Sequence, residues 1–224
     1  MLNTNLGLSI DTLKQYTINM IDKCEELLSL SIKSILDKDI EGCKKLINQD
    51  DEIDLLREYI MDRSIELLAL KQPMAKDLRY IYALGFIAIE LERIGDYIVN
   101  ICEESINICE ETIKIGEEKY IKELVDIPKM YKVCKEMLLG VRESLENEDE
   151  DLARDIALKD DEVDRLYEMV QTDCLKIMND NPSTINQGVG LLFMGRSFER
   201  IGDHITNICE KIIYAIKGEM IEIG

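Results

Sequence analysis

The stretch Glu199–Lys211, "ERIGDHITNICEK", is written twice in this chain. Its other copy is "ERIGDYIVNICEE" at Glu92–Glu104, and ten of the thirteen positions are identical. On a helix at ~100° per residue, each copy splits into two faces. Ile87, Leu91, Ile94, Ile98 and Ile101 share one apolar face. Glu92, Asp96, Asn100 and Glu103 lie opposite. In the second copy Ile201, Ile205 and Ile208 oppose Glu199, Asp203, Asn207 and Glu210.

The repeat extends beyond this phrase. "DDEIDLL" at Asp50–Leu56 answers "DDEVDRL" at Asp160–Leu166, 110 residues on. Pro73 answers Pro182 at 109, and Glu92 answers Glu199 at 107. The order is kept and the drift is small enough for loops to absorb. The expected organisation is two tandem repeats, 1–114 and 115–224.

Apolar spacing is helical almost throughout. It predicts six helices: Leu6–Leu36, Asp39–Leu70, Met74–Ile113, Glu117–Leu145, Glu148–Met178 and Ser183–Lys217. Proline in "LKQPMA" and "NDNPST" marks helix starts. Gly116 separates the third helix from the fourth. "DKDIEG" and "NEDED" are short polar connections of the kind that join antiparallel neighbours. The expected fold is all-α, two three-helix bundles in one chain.

Composition narrows the function. The 46 acids against 27 Lys and Arg give a net charge of −19. Such a surface repels phosphate backbones, so nucleic acid is not an expected partner. It suits metal cations or basic partner surfaces. The seven cysteines form no C-x-x-C pair and their number is odd. They read as small core residues of a protein in a reducing cytosol. No cationic, apolar signal segment opens the chain. The longest apolar run, Tyr80–Ile89, stops at Glu90, too short to insert in a membrane.

The chemistry lies in the acidic columns. The second helix carries Asp50, Asp54, Glu58 and Asp62 at four-residue spacing, and the fifth carries Asp160, Asp164 and Glu168. A lone E-x-x-x-D means little in a chain with one acid in five residues. Four such pairs placed equivalently in two repeats mean more. Like charges at i, i+4 cost a few tenths of a kcal/mol per pair, and facing two columns makes this worse. Compensation comes from bound cations, or from arginines such as Arg93 and Arg200. The latter alternative is a salt-bridged surface without ligand.

Gly95 and Gly202 stand mid-helix, where glycine costs ~1 kcal/mol against alanine. They imply close backbone approach or an open lane beside the carboxylates. His204, the sole histidine, has Tyr97 at its counterpart and is expected at the surface rather than as an essential ligand. Oxygen donors without thiolate or imidazole favour Mg²⁺, Mn²⁺, Ca²⁺ or iron over a dedicated zinc site. A ferritin-like di-iron oxidase needs Glu-x-x-His on two helices, which one histidine cannot supply. No phosphate-binding glycine loop and no histidine-based triad is present. The expectation is a non-enzyme.

"QPMAKDLRYI" (Gln72–Ile81), "ELERIGDYIVNI" (Glu90–Ile101) and "NPSTINQGVGLLFMGRSFERIGDHITNI" (Asn181–Ile208) resemble the PhoU family. These are accessory proteins of the phosphate-specific transport system. The resemblance spans about Asp50 to Lys217. It implies two three-helix bundles, often dimeric, with metal clusters of iron or zinc in some members and magnesium or manganese in others. It implies a cytoplasmic negative regulator of the phosphate-starvation response. The implied partners are a sensor histidine kinase and the ATPase subunit of the phosphate ABC transporter. Glu92 with Asp96, and Glu199 with Asp203, stand on the family motif. Asp50 with Asp54, and Asp160 with Asp164, match its partner motif, and Asn100 and Asn207 add neutral oxygens nearby. Two other functions stay open: accessory to a different phosphate carrier, and a metal-storing or metal-dependent carboxylate protein. Leu8, Leu13 and Ile21 on the first helix are candidate apolar residues for a homodimer interface.

Overall fold

Two asparagine- and leucine-marked breaks distinguish the molecule from the six-helix reading. The structure is a computed structural model that describes residues 2–114 and 126–223. Its helices are α1 (Leu2–Asp37), α2 (Ile40–Ile47), α3 (Asp51–Lys71), α4 (Lys76–Lys114), α5 (Asp126–Asn147), α6 (Glu150–Ala157), α7 (Asp160–Asp180) and α8 (Ile185–Lys217). A 3₁₀ turn at Pro182–Thr184 leads into α8. No strand occurs among the described residues. The expected fourth-helix start at Glu117, with Gly116 before it, lies outside them.

The expected second and fifth helices are each broken in two, after Ile47 and after Ala157. The backbone stays right-handed there, at Asn48 (φ −76, ψ −13) and Leu158 (φ −65, ψ −14). The hydrogen bonds tighten to three-residue spacing: Gln49 N–H to Leu46 O, and Lys159 N–H to Ile156 O. A 3₁₀ step of this kind barely disturbs the apolar spacing, so periodicity does not reveal it.

The connections repeat as closely as the helices. Lys38 and Glu148, 110 residues apart, both take positive φ (55 and 52). The next residue caps a helix in each case. Asp39 accepts from Gly42 N–H at 2.9 Å and Asp149 from Leu152 N–H at 3.0 Å. Each cap satisfies an otherwise orphaned helix-start donor, worth ~1 kcal/mol.

Within the first half, α1, α3 and α4 pack on one another and α2 lies on α4. Within the second, α5, α7 and α8 do the same, with α6 against α5 and α8. The broadest seam joins the halves, α4 against α8, and α1 also lies along α5. A single apolar cluster therefore runs through both. Ile94, Ile98, Ile201 and Ile205 face inward as expected. Leu13 and Ile21 do not offer a dimer surface: both are fully buried, because α1 is covered by α3, α4 and α5, and only Leu8 is exposed. The Cys24 thiol donates to Leu91 O and the Cys134 thiol to Phe198 O, both at 3.5 Å, so α1 and α5 hold equivalent places. No helix among the described residues is long and apolar enough to cross a membrane.

Candidate functional site

Each half presents a groove where the helix carrying E-R-I-G-D meets the helix carrying D-D-E-x-D. In the first, α3 packs on α4; in the second, α7 packs on α8. The mid-helix glycines explain how the helices approach. A Cβ on Gly95 would stand 2.7 Å from Asp50 Oδ1 and 3.0 Å from Ile53 Cδ1. A Cβ on Gly202 would overlap Asp160 Oδ1. The glycine of the motif is thus a notch that receives the first carboxylate of the facing helix. Alanine would add helix propensity and fill that notch.

The four carboxylates of each groove act on one another. Asp50 is pushed up to about 6, first by burial and then by Asp96, Asp54 and Glu92. Asp160 is pushed up to about 7, by burial and then by Asp203 and Asp164, with Glu199 adding less. Burial also raises Glu92, Glu199 and Asp164, with Asp96 adding to the first and Asp203 to the other two. Both effects disfavour the charged form. All eight expected acids are therefore brought together, four to a groove. Asn207 lines the second groove, whereas Asn100 is exposed.

Arginines stand among the acids. Arg93 bonds Asp96 at 3.1 Å and reaches Glu92 at 3.6 Å. Arg200 bonds Asp203 at 2.5 Å and reaches Glu199 at 3.2 Å. In the first groove Arg57 also lies within 3.9 Å of Asp54 and of Glu92. Among the described residues no three His, Cys, Asp or Glu side chains are already gathered to hold one ion. Two oxygens in the second groove are buried without a hydrogen bond, Asp160 Oδ1 and Thr206 Oγ1.

The sequence of the PhoU domain family matches residues 17–105 and 127–212, one segment in each half. The chain belongs to the PhoU family. It is 33% identical to a PhoU homologue of Aquifex aeolicus, described as a phosphate-specific transport system accessory protein, over 95% of this chain and 93% of that one. It is 29% identical to the PhoU homologue of Deinococcus radiodurans, over 90% and 91% of the two chains. The crystal structure of the phosphate transport system regulatory protein PhoU from Streptococcus pneumoniae superposes with a TM-score of 0.89. It is 26% identical, with 97% of this chain and all of that one covered.

Three features of this PhoU chain were not foreseen from sequence. His204 is half-buried rather than superficial: its Nδ1 lies 2.7 Å from Glu90 Oε2, which also accepts from Asn207 Nδ2 at 3.0 Å. The reason is that α8 turns this edge toward α4 and not toward water. Arg57 fills the first groove, as its place three residues after Asp54 allowed. Thr206, three residues after Asp203, turns its hydroxyl into the second.

Proposed function

We propose that this protein is a regulatory accessory of phosphate transport, acting from the cytoplasm as a negative regulator of the phosphate-starvation response. The observation that carries this is the match of both halves to the PhoU domain. The division at about residue 114 follows the same two segments. Its partners in this reading are a sensor histidine kinase and the ATPase subunit of a phosphate ABC transporter, with a second copy of the chain completing a homodimer. The test is affinity capture of the tagged chain from cells shifted between high and low phosphate. Recovery of the ATPase subunit and kinase together, changing with phosphate, is expected. Recovery of a different phosphate carrier alone would overturn the assignment. Light scattering of the purified chain should give twice the monomer mass.

The grooves supply the second part of the proposal: each holds a hard cation. The fit rests on the glycine notches that admit Asp50 and Asp160, and on the buried Asp160 Oδ1 that no donor satisfies. All-oxygen donors suit magnesium, manganese or iron, with zinc a weaker match. Bound there, a cation would neutralise the converged carboxylates. Arg93 and Arg200 would swing outward, exchanging one positive charge for another. Elemental analysis and Mn²⁺ calorimetry on wild type and on Asp96→Ala/Asp203→Ala test this. Metal in the wild type and its loss from the variant, at unchanged helicity, are expected. Absence of metal from both would leave a salt-bridged acidic surface.

A further inference from the structure

Beyond α8 the chain does not leave the molecule. Gly218 caps the helix at φ 80, its N–H bonded to Tyr214 O at 2.9 Å, with the Arg79 guanidinium lying over it. This left-handed turn, which favours glycine, sends the segment Gly218–Ile223 back along α8. The Ile223 N–H donates to Glu210 Oε1 at 2.9 Å. Ile221 and Ile223 are half-buried and pack against the apolar core. The returning strap closes one side of a cavity of about 430 Å³. The wall of that cavity contains Asp160, Asp203, Thr206 and the strap's own Glu222.

Thr206 separates this cavity from a mere acidic cluster. It is 7% exposed, its hydroxyl oxygen is buried, and it makes no hydrogen bond. A buried hydroxyl left unpaired costs about 1–3 kcal/mol, so its place beside the equally orphaned Asp160 Oδ1 calls for a ligand. The corresponding residue of the first repeat, 107 positions earlier, is Val99, which has no oxygen to offer.

We propose that Gly218–Ile223 is a lid on the second groove, and that Glu222 and the Thr206 hydroxyl extend its oxygen set around a hard divalent or trivalent cation. The proposal rests on the reading that the grooves hold cations. Without a cation, Glu222 approaches Asp160, Asp203 and Glu210 against like charge, and the lid is held by its two isoleucines and one backbone hydrogen bond. With a cation the sign of that interaction reverses. Hard cations take six or more oxygens, which the four motif carboxylates alone supply only by bidentate contact. Lid closure and cation binding therefore strengthen each other, by the same factor in both directions. The two grooves of the chain become unequal sites.

Mn²⁺ titration calorimetry on the full chain, on a chain ended after Gly218, and on Glu222→Gln and Thr206→Val tests this. Hydrogen exchange of residues 219–223 is followed with and without Mn²⁺. Asp50→Asn/Asp96→Asn in each background silences the first groove, so that the second is read alone. The expected result is protection of 219–223 by Mn²⁺, and a loss of roughly 10-fold or more in second-groove affinity on truncation. Smaller losses are expected for the two single variants. If truncation disturbs the fold, Glu222→Gln, an exposed side chain, carries the comparison. Equal Mn²⁺ affinity in all four chains, with exchange at 219–223 indifferent to Mn²⁺, would overturn the lid and leave the grooves as cation sites. A wild type that binds no Mn²⁺ would overturn both.

Discussion

The two grooves keep the same four acids and change what surrounds them. In the first, Arg57 projects from α3 between Asp54, Glu58 and Glu92. The equivalent residue in the second is Tyr167, whose ring packs instead against the backbone at Gly195. The second groove gains Arg196, but this reaches only Glu199, at 3.7 Å. It is also the more enclosed: Asp203 is 35% exposed against 45% for Asp96, and Arg200 35% against 57% for Arg93. Asp160 accordingly sits higher in pKa than Asp50. The arginines, the tyrosine and the strap have diverged between the repeats, while the carboxylates and the notch glycine have not. A surface built only for salt bridges would have no reason to hold the acids fixed and let their partners vary.

The largest effects should come from the core, where the halves are expected to behave alike. Leu91→Ala and Phe198→Ala stand 107 residues apart, both fully buried beneath a cysteine thiol. Each should cost about 3–5 kcal/mol. Because one apolar cluster spans both halves, denaturant titration of either variant should show a single transition. Two separated transitions would mean that the repeats unfold independently.

Filling the notches comes next. Gly95→Ala and Gly202→Ala each gain up to ~1 kcal/mol of helix propensity but displace Asp50 or Asp160. In chelator, the melting temperature should move little. Mn²⁺ affinity at the altered groove should fall roughly 10-fold or more, with the larger loss at Gly202, where the overlap is greater. Unchanged affinity in both would show that neither carboxylate holds a cation.

Acid should separate the grooves further. Both aspartates have folded pKa values above the ordinary 3.8. A raised carboxylate binds its proton more tightly in the folded state, so stability falls as pH rises from 3.8 to the folded value. That decline should end near pH 6 for Asp50 and near pH 7 for Asp160. Melting of the chelated protein, wild type against Asp160→Asn, isolates the second window. The difference between the curves should grow up to about pH 7 and then level off. A constant difference would refute the burial of Asp160 as the cause.

The smallest effect concerns Arg57. Its contacts with Asp54 and Glu92 are long, and partly exposed pairs contribute about 0–1 kcal/mol. Arg57→Met should therefore hardly change melting. It should still raise the Mn²⁺ affinity of the first groove toward that of the second, in calorimetry with Asp160→Asn present. A fall in affinity would show that Arg57 positions the acids rather than occupying their place.

Much of this architecture is legible in the residues. The inward isoleucines and the paired acids follow from helical spacing, and the equivalence of the grooves follows from the offset of about 107 to 110. The same offset extends into the first helix of each half, where Cys24 answers Cys134 and Asp39 answers Asp149, although few identities survive there to signal it. Other features were closed to one-dimensional reading. The 3₁₀ steps after Ile47 and Ala157 preserve the polar pattern they interrupt. The burial of Leu13 and Ile21, and the pairing of His204 with Glu90, depend on how the halves dock. That docking is set by surfaces distant in sequence, α1 on α5 and α4 on α8. The strap is legible only at its hinge, where glycine follows the last lysine of α8.

All seven cysteines are free, and each is buried. Burial raises the pKa of Cys24, Cys134 and Cys209, the last to about 12, which leaves almost no thiolate to react at neutral pH. The molecule thereby contains its own clock. A thiol reagent modifies it only when a helix lifts away, so the labelling rate at each cysteine reads the opening frequency of that part of the chain. Cys24 and Cys134, at matching places beneath α4 and α8, time the two halves separately in one experiment.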